Sequence, residues 1–464
     1  MNCRNWIYPA AVVVTIAGCA LKPLPSPKEI LDEALPPQTG IPEQWVAATN
    51  SAPVHSGWLQ SFNDPTLVAL VNEALANNRD LLAAAEAVAI ARETIAVVGA
   101  QLLPQIGGQL GGKRTYDFGG RDDVKHSFTH TLIALGLNWE LDVWGRLRAE
   151  RAAAAIDYEV AALDYAYARQ SLAATVALNW YLVSEAQQLL SLAERAVGIY
   201  TRLYDLADFR YQSGKTSQLD VADSRARVES AQANLQSARI AFGRAVRSLE
   251  VLLGRYPAAE LAAASHYPAV PPVVAADTPI ALVSRRPDIL AAEYAVLAAF
   301  RRQEAARLAL RPSFSLSLTA ERLGDHLLEQ LHLSQDRASA QLGSIIPIYE
   351  GGALCAYVRI TTAQQAQAVA NYGSSLLSAF REVENALESE RLLEQRLGFA
   401  RSSLADRDRA VEIAIDQYQA GKRDLLWVEI LQTEQLVAQA EVIKLENQRL
   451  ANRIQLHLAL GGDF

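Results

Sequence analysis

The chain has 464 residues, 50% of them hydrophobic, with 43 Lys and Arg against 51 Asp and Glu and a net charge of -8. That acidic balance argues against nucleic acid as a partner, since phosphate binding needs a basic face. The length admits roughly two to four domains, or one continuous body built by duplication.

The first residues read as a secretory leader: Arg4, an apolar run through Ala10-Ala11-Val12-Val13-Val14, then Ile16-Ala17-Gly18-Cys19. Small residues directly before a cysteine form the pattern of a bacterial lipobox, in which Cys19 receives a diacylglyceryl group and becomes the mature N-terminus. An ordinary leader with an incidental cysteine is the alternative. Ala20 follows where an Asp would favour the inner membrane, so the outer membrane is the expected address. Cys3 leaves with the leader and Cys19 is acylated, so only Cys355 remains and no disulfide forms within one chain. Beyond the leader no stretch reaches the roughly 18 to 20 uncharged apolar residues of a spanning helix. The longest candidate, Leu172 to Val183, is broken by Asn179, so any crossing of a membrane is made by strands.

Prolines crowd from Pro23 to Pro65 and from Pro257 to Pro287, and none lies between Pro104 and Pro257 or after Pro347. Because proline inside a helix costs about 3 kcal/mol, the proline-free spans admit very long helices. A first helix is expected over 65–100, opened by Asp64-Pro65 and stopped by Pro104. From Gln105 the texture alternates, passes through the turn-rich Asp117 to Asp123, and returns with Thr129, Thr131, Ile133, Leu135, Leu137 and Trp139 on one face, the pattern of a hairpin. A long Ala-rich helix is expected over 143–210, a turn at Gly214, and a descending helix whose seam runs through Val221, Ser224, Val228 and Ala231 to Leu252 at 3,4 spacing, as in a coiled coil.

The landmarks then repeat. Asn78-Arg79-Asp80-Leu81 returns as Arg286-Pro287-Asp288-Ile289, an offset of 208, and Tyr211-Gln212-Ser213-Gly214-Lys215 returns as Tyr418-Gln419-Ala420-Gly421-Lys422, an offset of 207. In the second copy Ser313, Ser315, Ser317 and Thr319 alternate with Phe314, Leu316, Leu318 and Ala320, a polar loop runs from Gly324 to Arg337, and a strand returns to Tyr349. A helix over 350–417, the Gly421 turn and a second seam through Val428, Leu431 and Leu445 follow. Strands with one apolar and one small-polar face fit a transmembrane barrel, although a soluble half-buried sheet has the same alternation. Each long helix would measure about 100 Å, against about 30 Å for the hydrocarbon core, so it projects away from the membrane. Four strands per chain cannot close a barrel, which takes about eight, and open edges in lipid are costly. Several chains must therefore share one barrel; three would make it twelve-stranded.

Little here supports catalysis. Gly107-Gly108-Gln109-Leu110-Gly111-Gly112-Lys113 imitates a phosphate loop, but Arg114 stands where Ser or Thr would hold magnesium and no helix follows. His126 and His130 lack a third ligand in the nearby sequence, and His326 and His332 fall in a polar loop. No zinc or nucleophile motif occurs, so neither an enzyme nor a resident metal is expected.

Trp58-x-x-x-Phe62-x-Asp64-Pro65, Asn138-Trp139-Glu140-Leu141-Asp142-Val143-Trp144-Gly145-Arg146, Ser217-x-Leu219-Asp220-Val221, Arg286-Pro287-Asp288-Ile289-x-x-Ala292-Glu293 and Pro347-Ile348-Tyr349-x-Gly351-Gly352 resemble the motifs of TolC-like outer-membrane factors. The resemblance is to their lipoprotein branch, which serves efflux pumps of the resistance-nodulation-division type. It implies a mixed, mostly α fold: a homotrimer with a twelve-stranded outer-membrane β-barrel, continued by an α-helical coiled-coil tunnel through the periplasm. The division it implies is a leader at 1–18, a lipidated arm and equatorial segment at 19–64, repeats at 65–256 and 280–464, and a linker at 257–279. It also implies a periplasmic adaptor and an inner-membrane transporter as partners, contact with outer-membrane lipid, and no cofactor beyond the lipid on Cys19.

The turns become periplasmic tips where the adaptor docks and the tunnel closes. Tyr211, Gly214, Ser217, Leu219 and Asp220 match in the first repeat, and Tyr418, Gly421 and Leu426 in the second. An Asp usually faces the pore below the second tip; here Ile430 stands there, with Glu429 adjacent and Asp424 nearer the turn. Copies of Asp424 or Glu429 ringed across the opening would attract cations, and Arg423 could pair with a neighbour to hold the tips shut; alternatively these charges are a solvated helix face. The reading is a passive conduit for small-molecule export of drugs, toxic compounds or metals. A duct for protein or peptide secretion with an ATP-driven partner, or a lipid-tethered periplasmic coiled-coil scaffold, are the alternatives.

Overall fold

The computed structural model describes residues 21–36, 38–47, 57–117, 126–264, 266–272, 278–324 and 336–462. The leader, Cys19, the hairpin turn from Phe118 to Asp123, and His326 and His332 lie outside the described residues. Helix α1 (Pro27–Ala34) is started by a capping box between Ser26 and Glu29, with proline at its first turn. After the short α2 (Trp58–Ser61), α3 (Pro65–Asn77) is capped by Asp64, whose side chain accepts from the Leu67 N–H at 3.0 Å.

The single helix expected over 65–100 is two, because Asn78 takes an extended backbone between α3 and α4 (Arg79–Gly99). Its side chain accepts from the Leu81 N–H at 2.9 Å and donates to the Leu252 carbonyl at 3.0 Å, so the break makes bonds that a continuous helix would forgo.

Strands β1 (Gln105–Asp117) and β2 (His126–Leu141) pair antiparallel, as do β3 (Ser313–Gly324) and β4 (Asp336–Ile345). The two hairpins join through β2 and β3 into one sheet of order β1-β2-β3-β4. The glycines of the phosphate-loop imitation lie within β1, paired to β2. Register sorts the sheet into two faces. Ile106–Leu137, Leu110–Ile133, Leu137–Leu318 and Leu316–Leu342 oppose one another on one face, and Gln105–Asn138, Asn138–Ser317, Ser317–Gln341 and Thr319–Ser339 on the other. Strand β4 ends at Ile345 rather than Tyr349, because Pro347 has no N–H to pair and Gly351 and Gly352 turn the chain at positive φ.

Each hairpin feeds a 67-residue helix, α5 (Arg146–Gln212) after β2 and, beyond α6 (Gln218–Leu252), α7 (Pro279–Val283) and α8 (Pro287–Leu308), α9 (Ala353–Gln419) after β4; α10 (Leu425–Ala459) closes the chain. At the first corner the Asp142 carboxylate accepts from the Leu147 and Arg148 N–H groups at 3.1 and 3.0 Å, supplying the helix start. Trp144 donates to the Pro312 carbonyl at 2.7 Å and Trp139 to Leu102 at 2.9 Å, which gives both tryptophans of that motif a bonding role.

Two compact units form, residues 1–38, 86–162 and 291–374 with the sheet, and residues 39–85, 163–290 and 375–464 with the paired helix turns; each draws on both halves of the chain. The second unit has a core of α2, α3 and the middle of α5, in which Phe62 and Leu67 are buried and Trp180 donates to the second oxygen of Asp64 at 2.8 Å. Its linker is tied at both ends. Buried Glu250 accepts from the Ala259 and Glu260 N–H groups at 2.7 and 2.8 Å, while buried Arg453 donates to the Pro271 and Pro272 carbonyls and pairs with Glu390 at 2.6 Å.

Where Asn78 donates to the Leu252 carbonyl, Arg286 donates to that of Ala459 at 3.2 Å, closing the same junction with a longer side chain.

Candidate functional site: the paired helix turns

Both long helices end in the same device. At the first, Lys215 N–H reaches the Arg210 carbonyl at 2.8 Å and Gly214 N–H that of Tyr211 at 2.9 Å; at the second, Lys422 reaches Gln417 at 2.8 Å and Gly421 reaches Tyr418 at 3.0 Å. These are paired Schellman caps, and Gly214 at φ 69 and Gly421 at φ 72 occupy the left-handed position that favours glycine. The returning helices start differently. Ser217 and Asp220 form a capping box on α6, with the Thr216 hydroxyl also donating to Asp220, whereas Asp424 alone caps α10, accepting from the Trp427 N–H at 3.1 Å. The Thr216 bond, with those from Ser217, holds the Asp220 carboxyl below the ordinary carboxylate range.

The residues expected to form an acidic ring separate here. Asp424 is exposed, with one oxygen engaged in the cap. Glu429 is buried at 2% exposure, accepts from the Ser224 hydroxyl at 2.7 Å and pairs with Arg227 at 3.0 Å. Burial holds its carboxyl above the ordinary range, against the pull of Ser224 and Arg227. Within one chain the Glu429 carboxylate is thus enclosed between α6 and α10, as a contact between helices. Arg227 is shared with Asp223 at 2.9 Å, and one turn beyond Glu429 the Thr433 hydroxyl meets Tyr200 at 2.8 Å.

The two tyrosines at equivalent turns also differ. Tyr211 is exposed, while Tyr418 is buried under Arg210, whose guanidinium carbon sits 4.0 Å from the ring centre. Tyr418, Leu425 and Val428 join Ala207 and Ala414 in a small apolar core. Outside it, Leu219 is 75% and Leu426 45% exposed, and Arg423 lies over the exposed Trp427 ring at 5.4 Å. Sequence reasoning missed Arg227, Asp223, Arg210 and Tyr200 as parts of this site. Ser224, a polar residue on an otherwise apolar seam, was the one available signal.

Among the described residues no helix is long and apolar enough to cross a membrane, and no group of His, Cys, Asp and Glu could hold a metal ion. A protomer that carries a two-faced four-stranded sheet with both edges open, together with two long helices turned back by matching caps, is built as a subunit of a membrane channel.

The chain belongs to the outer membrane efflux protein family, which it matches over residues 70–255 and 280–462. It is 26% identical to the cation efflux system protein CusC of Escherichia coli O6:H1, over 99% of this chain and 98% of that protein. It is 31% identical to the solvent efflux pump outer membrane protein SrpC of Pseudomonas putida, over 87% and 86% of the two chains. A crystal structure of CusC superposes with a TM-score of 0.78, covering 92% of this chain and 99% of that one at 26% identity. The protein is accordingly an outer-membrane channel for efflux, a conduit and not an enzyme.

Proposed function

We propose that three copies of this chain close one twelve-stranded barrel and serve as the exit duct of a tripartite pump for small molecules or metal ions. The observation that carries this reading is the sheet itself: β1 and β4 are unpaired edges within one chain, which lipid does not tolerate, and β1 of one copy offers its edge to β4 of the next. The inner-membrane partner is a transporter of the resistance-nodulation-division type joined through a periplasmic adaptor. Relatives named for cation and solvent efflux favour small cargo over secreted protein. The repeats at 65–256 and 280–464 are copies of one hairpin-and-helix-pair unit, an inference supported by caps recurring at the same spacing, and Cys19 carries the lipid.

The tips at Tyr211, Gly214, Ser217, Leu219 and Asp220, and at Tyr418, Gly421, Arg423, Asp424 and Leu426, form the gate and the adaptor's seat, with exposed Leu219 and Leu426 offering the apolar contacts. Glu429 acts there as the buried half of a latch with Arg227 that holds α6 to α10. Native mass and planar-bilayer recording test the reading. Trimers that conduct are the expected result, and monomers in mild detergent or a silent bilayer would refute it.

A further inference from the structure

The arm that follows the predicted lipidation site is held by its backbone. Lys22 N–H donates to one oxygen of Glu304 at 2.8 Å, and the Lys22 carbonyl accepts from Arg301 at 2.7 Å. Arg301 and Glu304 pair with each other at 2.7 Å, one helical turn apart on α8, and both are buried. Both main-chain groups of one residue are thus matched to the two ends of one ion pair, so the recognition is indifferent to the Lys22 side chain, which is exposed. A second seat lies further along the arm. Ile30 is buried, and a Cβ added at Gly373 of α9 would stand 2.3 Å from the Ala34 carbonyl oxygen, so glycine is what lets the end of α1 come down on α9.

We propose that Arg301 and Glu304 are a docking clip for the chain's own N-terminal arm, fixing the lipidated Cys19 close to the foot of the sheet. This rests on the reading of Cys19 as the acylated residue. Lys22 follows Cys19 by three residue steps, a reach of at most about 10 Å. Glu304 lies four residues, about 6 Å of helix, before α8 ends and hands the chain to β3. The clip therefore ties the acyl chains to the same unit that carries the strands, and lipid and sheet must enter the membrane side by side.

A backbone substitution separates this from a merely structural ion pair. Lys22→Pro deletes the N–H that Glu304 accepts without touching the buried pair, while Lys22→Ala keeps it. Lys28 is the only Lys or Arg between Lys22 and Arg79, and Lys22 precedes proline, so trypsin at Lys28 detaches the lipid-bearing peptide from the body. In the detergent-solubilised oligomer, Lys22→Ala should resist trypsin like the parent, and Lys22→Pro should be cut at Lys28 about tenfold faster, with palmitate incorporation unchanged in both. Glu304→Gln, which weakens the hold on Arg301, should fall between them. Equal cleavage of Lys22→Pro and Lys22→Ala would overturn the clip. Absence of palmitate from the parent protein would overturn the positioning of lipid, while the Lys28 rates would still report the clip on their own.

Discussion

At the scale of single residues, charge is kept inside the helical unit only where a partner meets it, and the exceptions are informative. Removing Arg227 by R227M strands Glu429 in a buried site and should cost about 3 kcal/mol of local stability, read as lost amide protection at the start of α10. Pairing R227M with E429L should recover most of that loss. In planar bilayers the single substitution should raise open probability more than the double. His457 is an exception, buried on the Trp58 ring with both ring nitrogens lacking a partner among the described residues. Burial, with the nearby Arg453 guanidinium, pushes its pKa down to about 4 from an ordinary 6.5. The unfolded chain therefore takes up this proton first as pH falls, so stability is lost between about pH 6.5 and 4 and levels off below, about 3 kcal/mol in all. His457→Phe keeps a stacked ring and should remove that acid-sensitive component from denaturation curves measured across the same window.

At the scale of elements, the long helices, the two hairpins and the glycine turns were legible because each rests on local chemistry: the missing prolines, the serine alternation, and a Tyr-Gln-x-Gly-Lys cap. The break at Asn78 was not, because what stabilises it is the Leu252 carbonyl, 174 residues away in the chain. Nor was the fate of Glu429, since local spacing cannot reveal that Ser224 and Arg227 enclose it. The glycines show the same division. Gly214→Ala meets nothing within 4 Å and should cost only the left-handed backbone penalty of about 1 kcal/mol. Gly254→Ala combines a φ of 75° with a Cβ only 2.7 Å from the Asn77 carbonyl oxygen, so it should destabilise markedly more. Hydrogen exchange at the start of α6 and at the end of α3 would separate the two effects.

At the scale of the whole molecule, the two faces of the sheet make opposite demands on substitution. Leu135→Arg puts a charge on the apolar face and should cost about 2 to 4 kcal/mol if that face meets lipid, emptying the outer-membrane fraction of assembled protein. Ser315→Arg, on the small-polar face, should assemble normally and shift ion selectivity toward anions in bilayer recordings. Equal tolerance of both would argue that neither side of the sheet touches hydrocarbon. Asn78 and Arg286, 208 residues apart, differ in chemistry yet donate to carbonyls at the ends of α6 and α10.

The open margins of β1 and β4 also bear on the protein's life before assembly. A newly exported subunit carries two rows of unsatisfied amides and carbonyls, ready to template pairing with any extended chain it meets. Holdase chaperones that shield such margins would then govern yield, and overproduction beyond their capacity should give aggregates nucleated at the hairpins while the helical rods remain folded.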